Sequence, residues 1–208
     1  MIDRLYFISQ QTATKTHLAT IEEALEAGCR LVQLRVKNQP EADVLALAQA
    51  AKALCDRYNA KLIVNDFPQV AKATGAWGIH VGLQDMAVKE VRAIVGPEMI
   101  IGGTANTFEH IQQRVQEGVD YIGLGPFRFT ATKEKLSPIL GLEGYQQIME
   151  QVRAARIQLP IVAIGGIVAD DVPGLREAGI HGIAVSGAIT AAEDQKGAVE
   201  RIKTLFSS

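Results

Sequence analysis

Short stretches of this sequence gather side chains suited to a multiply charged anion. In Gln33-Leu34-Arg35-Val36-Lys37, alternation along an extended backbone sets Gln33, Arg35 and Lys37 on one side. A planar guanidinium fork, an ammonium point charge and a neutral amide together suit phosphate oxygens. Asn65-Asp66 and His80-Val81-Gly82-Leu83-Gln84-Asp85 add carboxylates. Mg2+ is commonly held by one or two carboxylates, with waters and substrate phosphates completing its oxygen shell, so Asp66 and Asp85 are candidate metal ligands. Either could instead cap a helix N-terminus, an ordinary role for Asp in a strand-to-helix loop. His80 reads as a hydrogen-bonding wall residue, because no second well-placed His supports zinc.

Further along, Gly102-Gly103-Thr104-Ala105-Asn106-Thr107 offers glycines for close approach of a ligand and, in Thr107, a helix cap. Gly125 to Leu140 is a long connection without clear periodicity, a kind of segment that is usually functional, and it holds Thr130, Thr132 and Lys133 together. Two hydroxyls and an ammonium suit phosphate oxygens; alternatively, Lys133 could form a Schiff base with a carbonyl substrate. Ile164-Gly165-Gly166-Ile167 and Val185-Ser186-Gly187-Ala188 expose backbone N–H groups that suit an anion, with tight strand-to-helix turning as the bland alternative.

Each of these groups follows a short apolar run. The runs are Leu5–Ile8, Leu31–Leu34, Leu62–Val64, Gly78–Val81, Met99–Ile101, Tyr121–Leu124, Ile161–Ile164 and Gly182–Val185. Between them, segments with helical apolar spacing include Leu18–Ala27, Glu41–Tyr58, Val88–Val95, Thr107–Gln116, Asp170–Ala178 and Ala191–Phe206. Gly118 and Gly179 follow such segments as expected left-handed caps. Strands without polar alternation predict a parallel sheet covered by helices, and closure into a barrel removes both edges. The expected fold is therefore an α/β TIM (β/α)8 barrel, one catalytic domain over residues 1–208, with its site at the C-terminal strand ends. The rival is an open doubly wound sheet, weakened because Ser9-Gln10-Gln11-Thr12 stands where a Gly-x-Gly-x-x-Gly turn would be.

Composition narrows the partners. A chain of 208 residues, 48% hydrophobic and 21% charged, is that of a globular protein with one substantial core. Its 21 Lys and Arg against 23 Asp and Glu give a net charge of −2, so no basic surface for nucleic acid or an anionic membrane is announced. A homo-oligomer remains open as the assembly. Met1 to Lys15 lacks the core of a secretory signal, and a cytoplasmic location is expected. Cys29 and Cys55 lack metal-ligand spacing and are expected as buried fillers.

Taken in order, Gln33-x-Arg35-x-Lys37, Asn65-Asp66, His80-x-Gly82, Asp85, Gly125-Pro126, Thr130-x-Thr132-Lys133, Gly165-Gly166 and Val185-Ser186 resemble the thiamine-phosphate synthase family, over nearly the whole chain. The resemblance implies a TIM-barrel transferase that joins 4-amino-2-methyl-5-hydroxymethylpyrimidine diphosphate to a thiazole phosphate, releasing diphosphate with the help of Mg2+. It implies that Gln33, Arg35, Lys37, Asn65, Thr104 and Lys133 face the pyrimidine diphosphate, with Arg35, Lys37 and Lys133 assisting catalysis. Asp66 and Asp85 would hold Mg2+. Thr130, Thr132, Gly166, Val185 and Ser186 would face the thiazole phosphate. The chain departs from the family pattern at Phe67, Leu83 and Asn106, where Arg, Gln and His are frequent. Alternatives are an isomerase of the same superfamily acting on a thiazole phosphate, a Schiff-base aldolase using Lys133, and a non-enzymatic phosphate-binding barrel.

Overall fold

Burial on both faces explains why the strands are apolar throughout. In the structure, a computed structural model that describes residues 1–129 and 138–207, strand and helix alternate from end to end. The order is β1 (Leu5–Ile8), α1 (His17–Glu26), β2 (Leu31–Leu34), α2 (Glu41–Arg57), β3 (Lys61–Asn65), α3 (Pro68–Thr74), β4 (Gly78–Val81) and α4 (Val88–Val95). It continues with β5 (Ile100–Ala105), α5 (Phe108–Glu117), β6 (Tyr121–Leu124), α6 (Gly141–Ala154), β7 (Ile161–Ile164), α7 (Val172–Ala178), β8 (Gly182–Val185), α8 (Gly187–Thr190) and α9 (Gln195–Ser207). Neighbouring strands pair in parallel, and β8 returns to β1 to close the ring, so the TIM-barrel expectation holds and the open sheet does not.

Alternation sorts the side chains. Phe7, Val32, Val64 and Ile101 point outward into the layer shared with the helices. Tyr6, Leu31, Ile63, Tyr121 and Val162 point inward and fill the barrel floor. Two residues further along their strands, the inward positions become Gln33, Asn65, Gly123 and Ile164, so polar side chains join the apolar ones toward the mouth. Burial on the outer face supplies the stability, about 25 cal/mol per Å² of apolar surface removed from water. Polar side chains can then occupy the inner face near the mouth.

Helix ends follow local chemistry. The Thr107 hydroxyl accepts from the His110 backbone N–H at 3.3 Å, and Gly118 and Gly179 close α5 and α7 at φ +76° and +98°. Cys29 and Cys55 are buried, and burial pushes both thiols up to about 12, as inert fillers require.

The structure corrects three boundaries. β5 is longer than the expected Met99–Ile101, because Gly102 and Gly103 continue the ladder opposite Tyr121 and Ile122. The segment expected as one helix over Asp170–Ala178 opens with a 3-10 turn at Ala169–Asp171, and Pro173 follows within the first turn of α7. The helix expected over Ala191–Phe206 begins later, as α9 at Gln195, and a separate four-residue helix, α8, precedes it directly after Ser186. No helix among the described residues is long and apolar enough to cross a membrane.

Candidate active site

A cavity of about 650 Å³ opens at the C-terminal ends of the strands. Gln33, Arg35, Lys37, Asn65, Thr104, Gly166, Val185 and Ser186 all line it, so candidates from five strand ends meet in one place. Thr130, Thr132 and Lys133 lie outside the described residues.

At the rim, Lys37 Nζ donates to Asp66 Oδ2. Asp66 also contacts Asp85, whose Oδ2 accepts the Gly82 N–H at 2.7 Å. Asp66 has φ +68°, a left-handed conformation that Asp and Asn tolerate better than most residues. Neither carboxylate caps a helix: the residues before α3 and α4 are Phe67 and Ala87, without a side-chain cap. Burial, with the Asp85 charge assisting, raises the Asp66 carboxyl above the ordinary carboxylate range despite Lys37. Two repelling carboxylates with hard oxygen donors fit a divalent cation whose remaining positions are filled by water and phosphate. Among the described residues no third His, Cys, Asp or Glu joins them.

After β1, next to the end of β2, the Ser9 hydroxyl accepts the Arg35 backbone N–H at 3.1 Å and shares a hydrogen bond with His17 Nδ1 at 2.9 Å. Burial and the nearby Arg35 charge lower the His17 pKa. Sequence reasoning missed Ser9 and His17, both of which line the cavity, because the loop after β1 has no motif. Ser186 Oγ is buried and has no hydrogen-bond partner among the described residues, at a position where the cavity wall meets α8.

Beneath the cavity runs a connected series of polar side chains. Gln33 Nε2 donates to the Tyr6 hydroxyl at 2.6 Å, and the Tyr6 and Tyr121 hydroxyls lie 3.0 Å apart. Tyr121 meets His80 Nδ1 at 2.9 Å, and His80 Nε2 meets the Thr104 hydroxyl at 3.0 Å. His80 is thus a wall residue, as expected. The glycines of β5 admit protein, not ligand: a Cβ on Gly102 would lie 2.1 Å from the Tyr121 ring, and one on Gly103 would lie 2.7 Å from Arg114 Cδ. Tyr6 and Tyr121 also escaped sequence reasoning, since aromatic residues in an apolar run read as core. Asn106 Nδ2 donates to the Gly125 carbonyl and is buried, tying β5 to the loop after β6.

Comparison with known proteins agrees with this arrangement. The model of the family described as thiamine monophosphate synthase matches residues 5–189. A thiamine-phosphate synthase of Flavobacterium johnsoniae is 50% identical over 202 residues, 97% of this chain and 95% of that protein. One from Phocaeicola vulgatus is 48% identical over 201 residues, covering 97% of each. A solved structure of thiamine phosphate pyrophosphorylase from Pyrococcus furiosus superposes with a TM-score of 0.84 at 31% identity, covering 98% of this chain and 95% of that one. With the barrel, the polar mouth and full-length relatives in agreement, the chain belongs to the thiamine monophosphate synthase family.

Proposed function

We infer that the cavity at the barrel mouth is the catalytic site of a thiamine-phosphate synthase, a transferase acting on small molecules. It joins 4-amino-2-methyl-5-hydroxymethylpyrimidine diphosphate to a thiazole phosphate. The observation that carries this reading is the convergence of Gln33, Arg35, Lys37, Asn65 and Thr104 on one cavity beside the Asp66–Asp85 pair. The pyrimidine methylene–oxygen bond breaks, the diphosphate leaves with the bonding pair, and the thiazole nitrogen closes on the methylene carbon. The aminopyrimidine delocalises the intervening cation, so the protein needs no nucleophile of its own. Its work is to hold both reactants in line and to neutralise the departing charge.

Arg35 and Lys37 neutralise the diphosphate, with Lys133 assisting. Gln33, Asn65 and Thr104 hold the pyrimidine. Gly166, Val185 and Ser186 hold the thiazole phosphate, with Thr130 and Thr132 against the thiazole. Asp66 and Asp85 would hold Mg2+, which when bound supplies Lewis-acid neutralisation of the diphosphate. Lys37, paired with Asp66, keeps the carboxylate oriented at the rim. The whole of residues 1–208 acts as one catalytic domain, working in the cytoplasm. The decisive experiment measures diphosphate release with both substrates, each omitted in turn, with and without Mg2+. Release dependent on both substrates and on Mg2+ supports the reading; borohydride trapping of a keto-sugar phosphate on Lys133 would replace it with an aldolase.

A further inference from the structure

Hydrogen bonds lace the segment after β6 to the glycine turn after β7. The Phe127 N–H donates to the Ile164 carbonyl at 2.9 Å, and the Arg128 N–H donates to the Gly165 carbonyl at 3.0 Å. The Arg128 guanidinium Nη1 then donates to the Gly166 carbonyl at 2.6 Å. Three successive carbonyls are thus drawn toward one short segment. In a planar trans peptide the carbonyl and the following N–H point in opposite directions, so the Gly166 and Ile167 N–H groups are turned away from Arg128. Among the described residues neither N–H has a backbone acceptor. Gly165, Gly166, Ile167 and Val168 line the cavity, whereas Arg128 and Asp171 do not.

The guanidinium is itself gripped. Nη1 donates to Asp171 Oδ2 at 2.6 Å and Nη2 to Asp171 Oδ1 at 2.7 Å, a two-pronged pairing with a carboxylate whose side chain is only 11% exposed. Asp171 Oδ2 also accepts the Val168 N–H at 2.8 Å. The protein therefore takes up the Val168 N–H and leaves the two before it for a ligand. Because Asp171 balances its charge, Arg128 works here as a bracket on the turn. We propose that Arg128, fixed by Asp171, is a positioning residue that holds the Gly165-Gly166-Ile167 turn with the Gly166 and Ile167 N–H groups presented to the phosphate of the thiazole substrate. The inference rests on the placement of that phosphate proposed above.

The turn is shaped to receive this bracket. Gly165 and Gly166 have φ of +93° and +70°, a left-handed backbone that favours glycine. A Cβ on Gly165 would lie 2.7 Å from Pro126 Cβ, and one on Gly166 would lie 2.6 Å from Arg128 Cγ. The missing side chains are what let the β6 segment come so close. The guanidinium also sits over the Phe127 ring, 4.7 Å from its centroid, which limits its swing from a third side.

The test compares Arg128→Gln with Arg128→Lys, each checked for folding by circular dichroism. KM is measured for the thiazole phosphate and for the pyrimidine diphosphate. In both variants the KM for the thiazole phosphate is expected to rise at least about tenfold, the size of one charge-assisted hydrogen bond, while the KM for the pyrimidine diphosphate stays where it was. Lysine is expected to fail as glutamine does, since it keeps the charge and loses the planar fork. An unchanged KM for the thiazole phosphate in a folded Arg128→Gln protein overturns the proposal. So does full rescue by lysine, and so does an equal rise in both KM values, which marks a general loosening. If Arg128→Gln does not fold, Arg128→Lys decides in the same way. Inorganic phosphate titrated into the ¹⁵N-labelled full-length protein gives a second reading, independent of turnover. The Gly166 and Ile167 amide resonances are expected to shift in the wild type and to shift less in the variants; equal shifts, or none in the wild type, overturn the proposal. Failure of the wild type to make thiamine phosphate would instead overturn the activity, and the titration still judges the turn by itself.

Discussion

At the scale of single residues, the least comfortable group is Asp66. It sits in a left-handed conformation, half enclosed, against a second carboxylate, and Lys37 only partly offsets the burial. Its folded-state pKa lies above the unfolded one, so the stability it contributes is present at acid pH and lost as pH rises through the folded value. Asp66→Asn keeps the tolerated backbone shape and removes the buried charge. The variant is expected to melt no lower than the wild type at pH 7, with its relative advantage shrinking as pH approaches the ordinary aspartate value of 3.8. Its turnover should drop by about 10²–10³, and Mg2+ with diphosphate should raise the melting temperature of the wild type but not of the variant. Lys133→Ala is expected to lose turnover on the same scale while circular dichroism shows an intact fold. Unchanged turnover removes Lys133 from the mechanism.

At the scale of elements, β5 shows what sequence patterns conceal. Gly102-Gly103 reads as a loop admitting a ligand, yet both residues are strand, emptied of side chains so that Tyr121 and Arg114 can occupy the space. Gly102→Ala therefore overpacks the barrel floor; a cost of about 1–3 kcal/mol, or a melting temperature lower by roughly 3–10 °C, is expected by calorimetry. Much of the rest was legible. The apolar runs at Leu5–Ile8, Leu31–Leu34 and Gly182–Val185 coincide with β1, β2 and β8, because burial on both faces leaves an unmistakable mark. Gln33, Arg35 and Lys37 were legible as one group because a period of two fixes their side. Ser9, His17, Tyr6 and Tyr121 were not, since their partners are distant in sequence and each type is ordinary where it stands. α8 was hidden because a four-residue helix is too short to show a period.

At the scale of the molecule, the mouth of the barrel ties stability to protonation. His17 has a folded-state pKa below its ordinary 6.5, from burial first and the Arg35 charge second. The unfolded chain then binds the extra proton more readily, so this contribution to stability is present above pH 6.5 and lost as pH falls through the folded value. Thermal melts of the wild type should decline below pH 6.5, and those of His17→Gln should decline less; parallel curves would show that His17 is not the responsible group. The ring itself carries a last consequence. β1 finds its second neighbour only when β8 pairs Ile183 with Leu5 and Val185 with Phe7. During synthesis, every intermediate that ends before Gly182 carries raw hydrogen-bonding edges at both margins of its sheet. A ring that still lacks β8 is thus open to edge-to-edge association until Gly182–Val185 is in place.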